Sequence, residues 1–435
     1  MSRSPHLVTS ICYVTARYIP GCRDIGRTLT PAILTFLENT YTTTIHDADQ
    51  ELAMLQSLMI LCTFTRWTLI GKEPNSCCDI NFWHVKATSE CFARRIKLHL
   101  SAAALKMQLE AGKKPSKANA HTRRYLYWLW FYTLSHHTSV VTRNPPSLRA
   151  DASLRSASTI LACLESDENI SLLLSEVQLC LLWEKLGVKD ISLKEWWCST
   201  ELQCSQTSPA FDITFDDVDM ALDEWKENSP AKAFEEFRKG ILRFNPDYHS
   251  HYMRFCLNTY FIRHICSTNL QPDEILGIKR SVDSAVSVLE LSCHMNPLMR
   301  DQLRYTSGFI IITISFCSNF VLEAIQRFPS IFPDSTEKLT LVSKTATLLC
   351  DLDVDKELGA CAAGEWIIRR IDAMSKFPNH RQLVSLHQMT VPEAEDGTTP
   401  IADVRGEPGM EYLDLWGFNI DQSTLDTTFE FFESF

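Results

Sequence analysis

Three carboxylates in four consecutive residues, Asp216, Asp217 and Asp219, are the densest chemistry-bearing cluster in this sequence. Paired aspartates with a third one turn later hold magnesium and diphosphate on a helix, because hard oxygen ligands suit a hard cation. Here the position that would supply the third ligand is Met220, and no second acidic motif follows downstream, so an acidic connecting segment is the better reading. An all-α magnesium-dependent enzyme remains as a distant alternative. His249 and His251 are two apart; on a helix they point apart, and on a loop they lack a nearby Cys or Glu, so both are expected at the surface or in a cap. His136 and His137 follow an apolar run and are expected to be buried and hydrogen-bonded. Cys77 and Cys78 follow Pro74-Asn75 in an expected loop, with no basic neighbour to activate a thiol. The sequence has no G-x-S-x-G, no P-loop and no H-E-x-x-H. On these grounds no residue is assigned to catalysis, metal or cofactor, and the expectation is a protein that is not an enzyme.

Composition narrows the classes further. The 16 cysteines form no C-x-x-C pair, and most stand in apolar runs such as Met59-Ile-Leu-Cys62, which is how small buried hydrophobes are used in a reducing compartment. A net charge of -11 repels phosphate backbones, so no direct nucleic-acid contact is expected. The basic group Lys113, Lys114 and Lys117 reads as a solvated loop. Only 14 glycines in 435 residues is few for a fold rich in β-turns or phosphate loops, and favours helices. The N-terminus predicts no signal peptide, and the uncharged run between Arg304 and Glu323 holds too many hydroxyls for a membrane span; a core helix is expected there, and no membrane partner.

The elements that position these residues are predicted to be helical throughout: an all-α, large multi-helical domain. Its centre is the stretch from His121 to Asp151, where Tyr125, Leu126, Trp128, Leu129, Trp130, Phe131 and Leu134 surround a helix on every side. A helix apolar all round must be buried. Asn144 before Pro145 leaves helical space and ends the element. Other helices are expected from Ser4-Pro5, from Thr30-Pro31, from Asp49, and unbroken from about Ile80 to Glu110. Later ones follow Asp167-Glu168 and Ser229-Pro230, the latter interrupted at Pro246 and resuming from Tyr248 to Cys266. The rest are expected from Pro272-Asp273, Arg304 to Phe328, Ser335 to Leu352 and Lys356 to Ser375. We divide the chain into a first helical half (1–198), an acidic connecting segment (199–228) with a short helix through Trp225, a second half of the same domain (229–376), and a tail (377–435).

The tail carries its own signal. From Glu411 to Phe435 there is no Lys or Arg, and six acids alternate with aromatic and aliphatic residues. That composition belongs to disordered segments that fold against a partner's groove. Leu413, Trp416, Phe418, Phe429, Phe431 and Phe432 are the candidate coactivator contacts.

Three segments together resemble the fungal-specific transcription factor domain, the regulatory region of binuclear zinc-cluster regulators. Ser4 to Tyr18 is similar to its opening helix. Leu55 to Cys62, Trp83 and the run from Phe92 to Leu100 with Leu98-His99 are similar to the helices ahead of its signature. Arg123-Arg124 through Trp130, with Asn144-Pro145-Pro146-Ser147-Leu148, is similar to the signature itself, and Asp414-Leu415-Trp416-Gly417-Phe418 resembles the acidic, aromatic ends of such regulators. The family's six-cysteine zinc cluster is not matched: Cys12 and Cys22 are ten apart and do not begin one. The resemblance implies transcription regulation in the nucleus, with coactivator machinery bound through the tail and other zinc-cluster regulators as further partners. Without the zinc cluster, the alternative is a non-DNA-binding interaction protein that modulates other regulators.

Overall fold

The computed structural model describes residues 4–65 except 17, 20 and 46; 80–189 except 143; 193; 213–230; 245–262; 270–352 except 306 and 307; and 359–376. Among these residues there are sixteen α-helices and no strand. In chain order they are α1 (Pro5–Ala16), α2 (Arg23–Asn39), α3 (Ala48–Phe64), α4 (Phe82–Arg95), α5 (Ser101–Glu110), α6 (Ala120–Thr142), α7 (Ala152–Arg155), α8 (Ala157–Leu161) and α9 (Glu168–Lys189). Then follow α10 (Phe215–Asn228), α11 (Pro246–Phe261), α12 (Pro272–Cys293), α13 (Pro297–Gln302), α14 (Gly308–Arg327), α15 (Thr336–Leu352) and α16 (Gly359–Lys376).

The apolar residues gather into three cores. The first is built by α1–α9 around Tyr125, Leu129, Phe131 and Tyr132. The second is built by α11, α12 and α14–α16, with Phe82 of α4 reaching into it. The third lies between them and joins the end of α9 (Trp183, Leu186) to α10 (Val218, Leu222, Trp225) and α11 (Leu257, Phe261). The acidic stretch is thus anchored: its helix α10 buries three apolar residues on one face.

Several predicted boundaries move, each for a physical reason. Thr30-Pro31 does not open a helix; Pro31 lies inside α2. An interior proline costs about 3 kcal/mol. Ile33, Phe36 and Leu37, all buried beyond it, return about 1.5–3 kcal/mol each, so the helix continues. Asp47, not Asp49, caps α3, accepting from the Gln50 amide at 2.7 Å. The helix expected from Ile80 to Glu110 is broken at Lys97, the one non-glycine residue with positive φ (58°) among those described. Pro246 is not an interruption but the first residue of α11, with Asn245 capping the Asp247 amide at 2.8 Å. The helix expected from Ser229-Pro230 falls largely on 231–244, and Cys266 within 263–269, outside the described residues. α14 is long and apolar enough to cross a membrane, the one such helix described. It sits in the second core, and Thr313, Ser315 and Ser318 return their hydroxyls to carbonyls one turn back in the same helix.

Candidate functional site

The signature-like residues converge on a lock that ties the loop after α6 to its neighbours. α6 ends at Thr142, and the Ser139 hydroxyl donates to the Asn144 carbonyl at 2.5 Å. The chain then lies across α4 and α6. Ser147 Oγ donates to Glu90 Oε1 at 2.6 Å and sits 2.9 Å from Ser135 Oγ. Lys86 Nζ donates to Glu90 at 2.6 Å and to Ser147 Oγ at 2.9 Å. Arg94 Nη2 donates to the Ser147 carbonyl at 2.7 Å, and the Leu148 amide donates to Ser135 Oγ at 3.0 Å. Lys86 and Glu90 are buried. An ion pair out of water needs further hydrogen bonds to its remaining donors and acceptors, and the Ser147 hydroxyl of the strap supplies one to each partner.

At the other end of α6, Arg124 joins three helices. Its Nη1 donates to Glu51 of α3 at 2.8 Å, and its Nη2 donates to the Ile96 carbonyl beyond α4. That carbonyl is left by the break at Lys97, so the arginine fills the place of a continuing helix. Burial raises the Glu51 carboxyl, and Arg124 pulls it only part of the way back. The tyrosines of α6 find partners as well: Tyr125 donates to the Ser153 carbonyl at 2.5 Å and Tyr132 to Glu184 Oε1 at 3.3 Å.

The aspartate run is occupied from within. Asp217 forms a reciprocal cap with Thr214 at the start of α10. Asp216 and Asp219 accept from Arg280 of α12 at 2.8 and 3.2 Å, and Asp219 and Asp223 from Arg254 of α11 at 2.6 and 3.0 Å. The guanidinium of Arg280 also lies 5.5 Å from the Phe215 ring. Two arginines therefore sit where a cation would have to go, and the carboxylates serve to pin α10 onto α11 and α12. Among the described residues no group of three His, Cys, Asp or Glu side chains is placed to hold a metal ion.

The histidines differ from their expected placement. His249 is not a cap: it lies, partly exposed, in the first turns of α11 and lines a cavity shared with His137. The cap there is Asn245. His136 is buried as expected, and His137 packs its ring 4.4 Å from Phe309. Burial pushes the thiols of Cys62 and Cys256 up to about 12, so at neutral pH both are inert thiols. Cys77 and Cys78 lie outside the described residues, as do Leu413, Trp416, Phe418, Phe429, Phe431 and Phe432.

Two surface clefts have the size of a recognition site: one of about 480 Å³ beside Phe215, Phe261 and Arg280, and a larger one on α9. The larger holds about 580 Å³ between α9 and α10, with Leu181, Leu182 and Trp225 along its floor and Arg155, Lys185, Glu184 and Glu224 around them. The Trp225 indole donates to the Ser175 carbonyl at 3.1 Å, which fixes the ring. Neither this cleft nor the strap lock was visible in the sequence: members such as Glu90 and Ser147, or Ser175 and Trp225, stand tens of residues apart. No family model matches the chain, and no curated protein or solved structure matches it significantly.

Proposed function

We propose that this chain is the regulatory and activation part of a fungal zinc-cluster-type transcription regulator, acting in the nucleus, without a DNA-reading motif of its own. The observation that carries the reading is the double role of the signature-like residues. Arg124 and the Asn144–Leu148 strap, quoted for the resemblance on sequence alone, are the residues that knit α3, α4 and α6 together. A motif that holds a scaffold suits a presenting domain better than an active site. The aspartate run supports it too, since its carboxylates are engaged with arginines.

In this reading the helical body holds or releases the acidic-aromatic tail, and the released tail binds the coactivator machinery. The α9–α10 cleft, with an indole floor and both basic and acidic side chains in its lining, offers an apolar seat for the aromatic residues of such a segment. Pairing with other zinc-cluster regulators would supply the DNA contact. The test is to tether the full chain to a heterologous DNA-binding domain and measure a reporter. Replacing Leu413, Trp416, Phe418, Phe429, Phe431 and Phe432 by serine should lower output at least tenfold at equal protein level. Output that is unchanged, or absent from the unsubstituted chain, contradicts the reading.

A further inference from the structure

Where the first and second cores meet lies a cavity of about 80 Å³. Its wall includes Thr63 of α3, Thr133 and His137 of α6, Glu176 of α9, His249 of α11 and Phe309 of α14. Three helices of the first core thus face α11 and α14 of the second across one small space. His136 stands behind His137, with ring centroids 6.1 Å apart, and leans on Trp183 at 5.9 Å. Two imidazoles, His137 and His249, therefore line the cavity, and a third, His136, backs the first of them. Thr133 and Thr63 donate their protons to the carbonyls of Trp130 and Met59 in their own helices, so they offer only lone pairs to the space. His137 has no hydrogen-bonding partner among the described residues and packs on Phe309.

We propose that this histidine cluster is a proton-operated latch: acidification parts α11 and α14 from α6 at the seam while the rest of each core stays folded. The closed seam disfavours a charge on its imidazoles. From α3 it is faced by the Cys62 thiol, held protonated by burial. On the cavity wall α6 contributes His137, α9 Glu176 and α11 His249, with the apolar Phe309 and Ile310 of α14; off the wall, Tyr132 is hydrogen-bonded to Glu184, and burial raises Cys180, Tyr248 and Tyr252 and keeps them protonated. Glu176 is the one carboxylate on the cavity wall, and Lys86 and Glu90 beyond Cys62 neutralise each other. Burial holds His136 down at about 3, and burial with the neighbouring His136 and His249 holds His137 well below its ordinary value. The opened seam lets both titrate normally. The sign follows: the open form gains protons below about pH 6.5 that the closed form refuses, so closure weakens as pH falls.

Each such imidazole multiplies the opening constant by about 30 between pH 7.5 and 5.0, and two by roughly 1,000. The experiment is hydrogen exchange on the full chain from pH 7.5 to 5.0, corrected for intrinsic exchange rates, reading amides of α6 near His137 and of α11 near His249. The expected result is a rise near 1,000-fold at the seam, with amides of α2 and α15 unaffected. His137→Gln should cut the rise to about 30-fold, His136→Gln likewise, and His294→Gln, at an exposed histidine, should leave it whole. Should one glutamine variant fail to fold, the other still reads the proton count. A seam rise below about tenfold, an equal rise in every helix, or a rise unmoved by either glutamine variant overturns the latch.

Discussion

Replacing Lys86 by methionine should unhinge the strap. Lys86 Nζ and Glu90 Oε1 are 2.6 Å apart; at an effective dielectric of about 20 that separation is worth roughly 6 kcal/mol of gross attraction. Burying both charges costs several kcal/mol per ion, so the intact pair adds little net stability. The single variant is different. Glu90 would lose its cationic partner in a buried site, with the Ser147 hydroxyl as its remaining donor, and breaking a buried pair from one side costs about 3–5 kcal/mol. Against a usual total of about 5–15 kcal/mol, that is a large share. Glu90→Leu should cost about as much, by stranding Lys86. The double variant should cost clearly less than the sum, leaving a coupling of about 3 kcal/mol. Urea unfolding followed by circular dichroism at neutral pH measures all three. Single variants that cost under about 1 kcal/mol, or costs that simply add, would refute the argument that the strap is held by a desolvated pair.

Other consequences follow from the same coordinates. Glu323 of α14 is held by Arg370 and Arg327, which together outweigh burial and lower its carboxyl. Its contribution is therefore present at neutral pH and lost as pH falls below the ordinary carboxylate range near 4. The melting temperature of Glu323→Gln should lie below that of the unsubstituted chain at pH 7, and the gap should shrink below about pH 4; a constant gap contradicts it. At Gly364 an added Cβ would lie 2.4 Å from the Ala346 carbonyl and 2.6 Å from Cys350 Sγ. Gly364→Ala should then destabilise by about 1–3 kcal/mol in urea unfolding, and a neutral result would show that α15 and α16 can part freely. Thr214→Ala removes half of the reciprocal cap of α10 and should cost about 1 kcal/mol. Magnesium with a prenyl diphosphate should leave the thermal midpoint unmoved, because Arg254 and Arg280 already hold the aspartates; a saturable rise abolished by Asp216→Asn would restore the enzyme alternative.

The all-α class was legible because few glycines and continuous apolar periodicity leave little else to build. The buried centre was legible in the apolar run of α6, which no exposed helix could carry. What the sequence concealed were relations across long separations. Pro31 is a helix breaker locally, and the burial of Ile33, Phe36 and Leu37 that overrides it belongs to the folded core. Lys97 carries no sign of a left-handed turn; the Arg124 guanidinium that occupies the freed carbonyl stands 28 residues from Ile96. His249 was judged against His251, two residues away, whereas the imidazole it meets is His137 on a different helix. The aspartate run looked like a linker because its arginine partners lie in helices that follow it.

The central claim is that the tail, carried by a helical scaffold, recruits the transcription machinery. Its most direct measurement is capture of purified Mediator-type coactivator by the full chain, compared with a chain in which the six residues Leu413, Trp416, Phe418, Phe429, Phe431 and Phe432 are serine. The account predicts saturable capture by the first and loss of at least tenfold in affinity for the second, with unchanged thermal midpoints. Equal capture by both chains, or capture by neither, contradicts it.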